Sequence, residues 1–157
     1  MTLRTGIGFD AHRYATTKRP MRLALLDWPD QVGLEGHSDG DVVAHALVDA
    51  IAAAGSLGDI GQLFGQDDPQ MLGAASKVFL QGVIKRLAEK GFKLVNASVQ
   101  LIGNSPKIAT RRHEAEAALS QAVGAPVNLA ATTTDSMGFT GRGEGLAAIA
   151  TCLVTLR

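Results

Sequence analysis

Three side chains in the first third of the chain have the chemistry and spacing of metal ligands. Asp10 and His12 lie two residues apart at the end of an apolar run, and in a strand this spacing puts both on one face. His45 follows Asp41 by four residues and precedes Asp49 by four, so these residues share one stripe of a predicted helix. An Asp-x-His pair is equally the polar end of a strand, and a polar helical stripe is usually solvated surface. This stripe is unusual in holding two acids and a histidine but no Lys or Arg.

If the stripe faces the strand end, Asp10, His12 and His45 form a set of two nitrogen ligands and one oxygen ligand. Catalytic zinc sites use such three-ligand sets and keep one coordination position for water or substrate. Asp41 and Asp49 would then orient the ligands or contact the substrate.

A glycine-rich segment, Gly138-Phe-Thr-Gly-Arg-Gly-Glu-Gly145, has features of an anion site. Successive glycines let backbone N–H groups converge on an anion, and Arg142 offers a bidentate phosphate contact. The hydroxyls of Thr132, Thr133 and Thr134 add donors just upstream. A flexible hairpin and a threonine-rich strand end explain the same composition.

The bulk properties exclude several classes of function. The 157 residues carry 15 basic and 15 acidic side chains, so no net charge draws the protein to nucleic acid or to a membrane surface. The single Cys152 lies in an apolar run and is predicted to be a buried strand residue in a reducing compartment. No apolar run approaches the roughly 20 residues needed to span a bilayer, which predicts a soluble, cytoplasmic protein. Gly6-Ile-Gly8 resembles the start of a dinucleotide-binding fingerprint but lacks its third glycine, which argues against nicotinamide binding.

The elements that position these residues follow from hydrophobic periodicity. Ser38, with Asp41 three residues later, resembles a capping box that opens a helix ending before Gly55. His113, among charged neighbours on a later helix, is predicted to be solvated. Further helices are predicted at about 75–90 and 108–123, and strands at 4–9, 22–26, 93–102, 127–132 and 146–156. Strands alternating with helices indicate one α/β domain over residues 1–157.

Two segments between these elements are predicted to be functional loops. Residues 55–73 are rich in Gly and Asp and contain Leu57-Gly-Asp-Ile-Gly61. Residues 132–145 form a connection of the length at which irregular structure is usually functional or disordered.

The motifs taken together resemble one enzyme family. They are Gly8-Phe-Asp-Ala-His12, Gly36-His-Ser-Asp-Gly-Asp-Val-Val-Ala-His45, Leu57-Gly-Asp-Ile-Gly61, Ser105-Pro-Lys107 and residues 132–145. In this order and at these spacings they are similar to the 2-C-methyl-D-erythritol 2,4-cyclodiphosphate synthases. The resemblance covers almost the whole chain.

The resemblance implies a phosphorus-oxygen lyase of the non-mevalonate (MEP) route to isoprenoid and terpenoid precursors. Its substrate would be 4-diphosphocytidyl-2-C-methyl-D-erythritol 2-phosphate, and its products the 2,4-cyclodiphosphate and CMP. The substrate's own 2-phosphate would attack its β-phosphorus, so no water is consumed. The protein would mainly fold a flexible polyanion into an in-line arrangement.

The resemblance also assigns roles to residues of this sequence. Asp10, His12 and His45 would hold Zn²⁺ or a similar divalent ion, and Mg²⁺ or Mn²⁺ would bind the diphosphate at a second site. His37 and Thr133 would be catalytic, the first at the attacking phosphate and the second stabilising the transition state. The other substrate contacts would be Ser38, Asp59, Gly61, Lys107, Thr132 and Asp135.

The resemblance further implies a mixed β-sheet packed by helices on one face, in an α/β (α+β) domain that assembles as a homotrimer. The active sites would lie between subunits, and a central cavity would hold an isoprenoid diphosphate. Arg142 would then contact an anion on the trimer axis instead of the reacting phosphates. The residues lining the cavity would be Phe9, Phe139, Arg142 and Glu144.

Three positions depart from the commoner family pattern. Asp135 stands where a Glu is usual, and Phe64-Gly-Gln-Asp-Asp68 replaces Phe-Pro-Asp-Thr-Asp. Leu23-Ala-Leu-Leu-Asp27 replaces a hairpin that contains Gly-Gly. Two other functions remain open at this point: a metal-dependent phosphoesterase that uses the same ligands, and a non-catalytic trimer that binds isoprenoid diphosphates.

Overall fold

The strands and helices of the chain follow the predicted order, with additional short elements between them. The computed structural model describes residues 2–65, 69 and 75–157. Within these ranges the strands are β1 (Leu3–Arg13), β2 (Pro20–Leu23), β3 (Leu26–Val32), β4 (Phe92–Ile102), β5 (Val127–Thr132) and β6 (Gly145–Leu156). The helices are α1 (Val42–Ala54), α2 (Ile60–Phe64), α3 (Ser76–Glu89), α4 (Arg112–Val123) and α5 (Gly138–Gly141).

Four strands form the main sheet in the order β1-β6-β4-β5. Strands β4 and β5 are parallel, while β6 is antiparallel to both of its neighbours. The sheet is therefore mixed, as predicted. Strands β2 and β3 form a separate antiparallel hairpin.

The helices α1, α3 and α4 pack on one face of the main sheet. Alternate residues of β6, from Leu146 to Val154, are buried beneath them. The opposite face is open, and there Ile7 is 67% exposed and Phe9 57%. The prediction of helices on one face is confirmed.

Helix α1 is the central helix of the core, because eleven of its thirteen residues are buried. It lies directly against β1, where Gly6 and Gly8 have no side chains. A Cβ at Gly6 would overlap the Ala50 carbonyl oxygen, and a Cβ at Gly8 would overlap that of Ala46. The two glycines therefore serve close packing of helix on strand.

The capping box predicted at Ser38 is wrong. Helix α1 begins at Val42, and its N-cap is Asp41, whose Oδ1 accepts the Ala44 N–H at 3.1 Å. Ser38 lies in the preceding loop and is buried. The prediction failed because a buried aspartate next to the helix competes successfully with the serine for the same cap position.

The strand predicted at 22–26 is also wrong, because the chain turns inside it. Ala24 and Leu25 have φ values of 53° and 64° and connect β2 to β3. Such positive φ values strain non-glycine residues in a two-residue hairpin turn. Here Asp41 holds the turn, since its carboxylate accepts the Ala24 N–H at 2.9 Å and the Leu25 N–H at 2.7 Å.

The remaining differences are local. The helix predicted at 108–123 begins at Arg112 and is preceded by a 3₁₀ turn at Ile108–Thr110. The two predicted loops contain the short helices α2 and α5. Residues 66–68, in the divergent motif after Phe64, and residues 70–74 lie outside the described residues.

Cys152 and His113 behave as predicted. The Cys152 thiol is buried in β6 and donates to the Ala50 carbonyl oxygen at 3.3 Å, and burial raises its pKa to about 11. The His113 side chain is fully exposed. Within the described residues, none of the helices has both the length and the apolar character needed to cross a bilayer. The cytoplasmic location stays a prediction.

We expect Asp41→Asn to lower the free energy of unfolding by about 1–3 kcal/mol, because an amide N–H₂ would face a backbone N–H in a buried site. Urea denaturation of the variant and the wild type measures this difference. Asp30→Asn is the control, since Asp30 is exposed on β3 and should change stability by less than about 0.5 kcal/mol. Equal stabilities of the two variants would contradict the role given to Asp41.

Candidate active site

Asp10, His12 and His45 converge at one point, as the sequence predicts. The Asp10 Oδ2 atom lies 2.8 Å from His12 Nε2 and 3.2 Å from His45 Nδ1. The two histidine nitrogens are 3.2 Å apart. Strand β1 supplies the first two residues from the face that carries Gly6 and Gly8, and α1 supplies the third.

This triangle of atoms fits a metal ion. Ligand atoms about 2.0–2.1 Å from a tetrahedral zinc ion lie about 3.3 Å from one another. The three observed separations, 2.8, 3.2 and 3.2 Å, are close to that value. Two nitrogens and one carboxylate oxygen are also the donors of catalytic zinc sites. Asp10, His12 and His45 therefore suit a divalent ion in both chemistry and spacing.

The electrostatics around the triangle favour a bound positive charge. Burial lowers the pKa of His45, but the hydrogen bond and charge of Asp10 outweigh it, so the pKa lies above its usual value. Burial raises the pKa of Asp10, but the hydrogen bonds and charges of the two histidines outweigh it and leave the pKa below its usual value.

Ser38 extends the site from the other side of the His45 ring. Its Oγ lies 3.0 Å from His45 Nε2. When Nδ1 uses its lone pair on a metal, the ring proton is on Nε2 and is donated to Ser38. The Ser38 hydroxyl is then free to donate its own proton to an anion.

The neighbouring residue Asp39 had no assigned role in the sequence analysis. It accepts hydrogen bonds from the Ser76 N–H at 2.7 Å and from the Ser76 hydroxyl, and so ties the loop to the start of α3. Its Oδ1 lies 3.9 Å from His45 Nε2. In the sequence, Asp39 was marked only by its place between the polar residues Ser38 and Asp41.

Two of the predicted catalytic and substrate-binding residues near α1, His37 and Asp59, are more exposed than the three metal ligands. His37 is exposed beside Ser38. Asp59 is the N-cap of α2 and accepts the Gln62 N–H at 2.9 Å, and Gly61 lies in that helix. Asp49 of α1 accepts the Ile60 N–H at 2.9 Å, which docks α2 next to the metal ligands.

Asp41 therefore differs from the sequence-based expectation, whereas the role expected of Asp49 stays a prediction. Asp41 is fully buried and bound to backbone N–H groups of the hairpin turn and of α1, so it supports the fold. Burial raises the pKa of Asp49, and the nearby charges of Asp10 and Asp59 add to this effect.

A second polar cluster forms where β4 and β5 end side by side. The Gly103 N–H donates to the Thr132 carbonyl oxygen at 2.9 Å, and the Thr133 hydroxyl lies 3.4 Å from Asp135 Oδ1. Thr132, Thr133, Asp135 and Lys107 are all exposed. Within the described residues, this second cluster makes no hydrogen bond or ion pair with the metal triangle.

The sheet register separates the two clusters. Ala11 pairs with Ala147 of β6, Ala147 with Ile102 of β4, and Ile102 with Thr132 of β5. Three strand spacings of about 4.8 Å place Thr132 about 14 Å from Ala11, which lies between the two β1 ligands.

The four residues predicted to line a central cavity are all exposed, Phe9 on the open face and the other three in or just after α5. Phe9 is 57% exposed and Phe139 42%. Arg142 pairs with Glu144, with Nη2 and Oε2 2.8 Å apart.

Comparison with known proteins shows the family of the chain. The chain matches the YgbB family over residues 3–155. The chain is a member of the YgbB family. A relative from Cutibacterium acnes, 2-C-methyl-D-erythritol 2,4-cyclodiphosphate synthase, is 54% identical over 98% of this chain and 91% of its own.

Two further proteins are similar to this chain, one by sequence and one by structure. A bifunctional enzyme IspD/IspF from Clavibacter michiganensis is 53% identical over 97% of this chain, and the chain spans 37% of that protein's length. A solved structure of 2C-methyl-D-erythritol-2,4-cyclodiphosphate synthase in a CDP-bound form has a TM-score of 0.87 and 35% identity, covering 97% of this chain and 100% of its own.

We expect His45→Ala to weaken zinc binding by more than about 100-fold, since loss of a partner behind a ligand alone costs about 10–100-fold. Competition with a chromophoric chelator measures the affinity, and far-UV circular dichroism verifies the fold. His113→Ala is the matched control, because this histidine is fully exposed on α4. Unchanged zinc affinity in His45→Ala would rule out the triangle as the metal site.

Proposed function

We propose that this member of the YgbB family converts 4-diphosphocytidyl-2-C-methyl-D-erythritol 2-phosphate into 2-C-methyl-D-erythritol 2,4-cyclodiphosphate and CMP. One observation carries the proposal: Asp10, His12 and His45 converge within 3.2 Å of one another, with Ser38 on the far side of His45. Residues 1–157 would act as one cyclodiphosphate synthase domain, in the cytoplasm.

In the proposed reaction an oxygen of the 2-phosphate forms a bond to the β-phosphorus. The bond from that phosphorus to the bridging oxygen breaks, and CMP leaves with this oxygen. Zn²⁺ bound by Asp10, His12 and His45 would polarise and position a phosphate oxygen. His37 and Ser38 would hold the attacking phosphate, for which the free hydroxyl proton of Ser38 is suited.

The erythritol and cytidyl parts of the substrate would use the two exposed regions. Asp59 and Gly61 would bind the erythritol hydroxyls near the metal. Lys107, Thr132 and Asp135 would bind the cytidyl diphosphate, and Thr133 would donate to the charge that develops on phosphorus. Mg²⁺ or Mn²⁺ would neutralise the diphosphate beside Asp135.

A homotrimer would bring these two regions together. Within one chain Thr132 and Ala11 stand at opposite edges of the sheet, about 14 Å apart by strand spacing. A substrate that must contact both regions at its reacting phosphates would therefore need the second cluster of a neighbouring copy. The open face exposes the apolar side chains of Ile7 and Phe9, which contact with another copy would bury.

The trimer would also enclose a central cavity for an isoprenoid diphosphate. Phe9 and Phe139 would supply apolar surface, and Arg142 would bind the anionic end. Arg142 would then bind the anion while it also keeps its ion pair with Glu144.

We expect phosphorus NMR of the purified protein with the cytidylyl substrate, Zn²⁺ and Mg²⁺ to show the cyclic diphosphate and CMP in equal amounts. The nucleophile belongs to the substrate, so water should not attack phosphorus and no linear phosphate of methylerythritol should form beside CMP. The Thr133→Val variant should lower kcat by about 10²–10³-fold, as loss of a transition-state donor does. A linear product without the cyclic one would instead establish a phosphoesterase, and no turnover with isoprenoid binding would establish a non-catalytic trimer.

We expect Ile7→Glu to convert the trimer to monomers and to abolish turnover while the chain stays folded, because the charge would be buried in the interface. Size-exclusion chromatography with light scattering gives the mass. Val78→Glu is the control, since Val78 is 49% exposed on α3, away from the open face. A trimeric, active Ile7→Glu variant would contradict this interface.

A further inference from the structure

The loop at residues 36–38 crosses over both imidazoles of the metal triangle. A Cβ at Gly36 would lie 3.1 Å from His12 Cε1, so the bare backbone of this residue packs against the His12 ring. Two residues later, Ser38 Oγ lies 3.0 Å from His45 Nε2. His37 stands exposed between these two contacts.

Arg19 holds the two residues of this loop that touch the imidazoles. Its Nη1 donates to the Gly36 carbonyl oxygen at 3.0 Å, and its Nη2 donates to the Ser38 carbonyl oxygen. The side chain is half-buried, and the Arg19 carbonyl oxygen accepts the Gly33 N–H at 2.9 Å. A planar guanidinium with donors in a fixed fork is well suited to fix two carbonyls at a set spacing.

The loop is anchored independently at its other end. Asp39 binds Ser76 at the start of α3 and accepts the Asp41 N–H at 3.1 Å. Asp39 thus fixes the loop to the helices. Arg19, which lies in the connection between β1 and β2, holds residues 36–38 from that side.

We infer that Arg19 is a positioning residue that sets His37 and Ser38 over the metal triangle and thereby places the attacking phosphate of the substrate. The inference rests on the proposed function for the identity of that phosphate. Arg19 acts through the loop, because two of its N–H groups are already given to backbone carbonyls. The triangle does not depend on it, since β1 and α1 hold Asp10, His12 and His45.

The test is Arg19→Met, which keeps an unbranched apolar side chain and removes both donors. We expect kcat/KM for the cytidylyl substrate to fall by about 10–100-fold, the effect of a misplacement near 1 Å. Zinc content should stay equal to that of the wild type. Arg19→Lys, with one compact ammonium group, should give an intermediate value.

CDP affinity separates this role from general damage to the site. CDP carries the cytidine and the diphosphate but lacks the erythritol 2-phosphate, so its Kd should stay within about twofold of the wild-type value. Lys18→Met is the matched control for charge, because Lys18 is exposed and adjacent in sequence. Its kcat/KM should also stay within about twofold.

Wild-type kcat/KM in Arg19→Met would overturn the inference, and so would an equal loss in Lys18→Met, which would indicate a general effect of charge. A parallel fall in zinc content or CDP affinity would also overturn it. If the wild type forms no cyclic product, the proposed function fails instead. Hydrogen exchange over residues 33–41 then decides on Arg19 alone: faster exchange in Arg19→Met supports the loop contact, and unchanged exchange refutes it.

Discussion

The close contact between α1 and β1 is the constraint on which the site depends. Gly6 and Gly8 leave no side chain between the strand and the helix, and a Cβ at either position would overlap a carbonyl oxygen of α1. The next two residues on the same face of β1 are Asp10 and His12. With the helix this close, His45 reaches them with its ring, and three ligand atoms meet within 3.2 Å.

The polar residues just before α1 each support a different neighbour. Ser38 binds the outer nitrogen of His45, Asp39 binds the first residue of α3, and Asp41 binds the β2–β3 turn and the first turn of α1. Buried polar groups of this kind are costly when unpaired and rigidify their surroundings when paired. A short stretch of sequence therefore connects the metal ligands, a helix and a hairpin.

The order of the strands divides the candidate residues into two regions. The metal triangle extends from β1 at one edge of the sheet, and the threonine cluster follows β5 at the other edge. Neither region by itself contains all the groups that a large phosphorylated substrate would contact. Under the proposed function, contact through the open face of the same sheet, where Ile7 and Phe9 are exposed, would join the regions of different copies.

Much of this protein was readable from local sequence patterns. Alternation placed Asp10 and His12 on one face of a strand, and helical spacing placed His45 on one stripe of α1 between Asp41 and Asp49. Periodicity also predicted α3, β4, β5 and β6 to within a few residues. These features depend only on neighbours along the chain, which is why a single sequence reveals them.

Tertiary structure alone decided the partners of the remaining polar residues. Asp41 looked like part of a ligand stripe, but the hairpin turn 16–17 residues away supplies N–H groups that claim its carboxylate. No sequence pattern singled out Arg19, yet its guanidinium reaches the loop over the imidazoles. Such contacts join residues that lie far apart in sequence, so they exist only once α1 has docked on β1 and brought the intervening loops together.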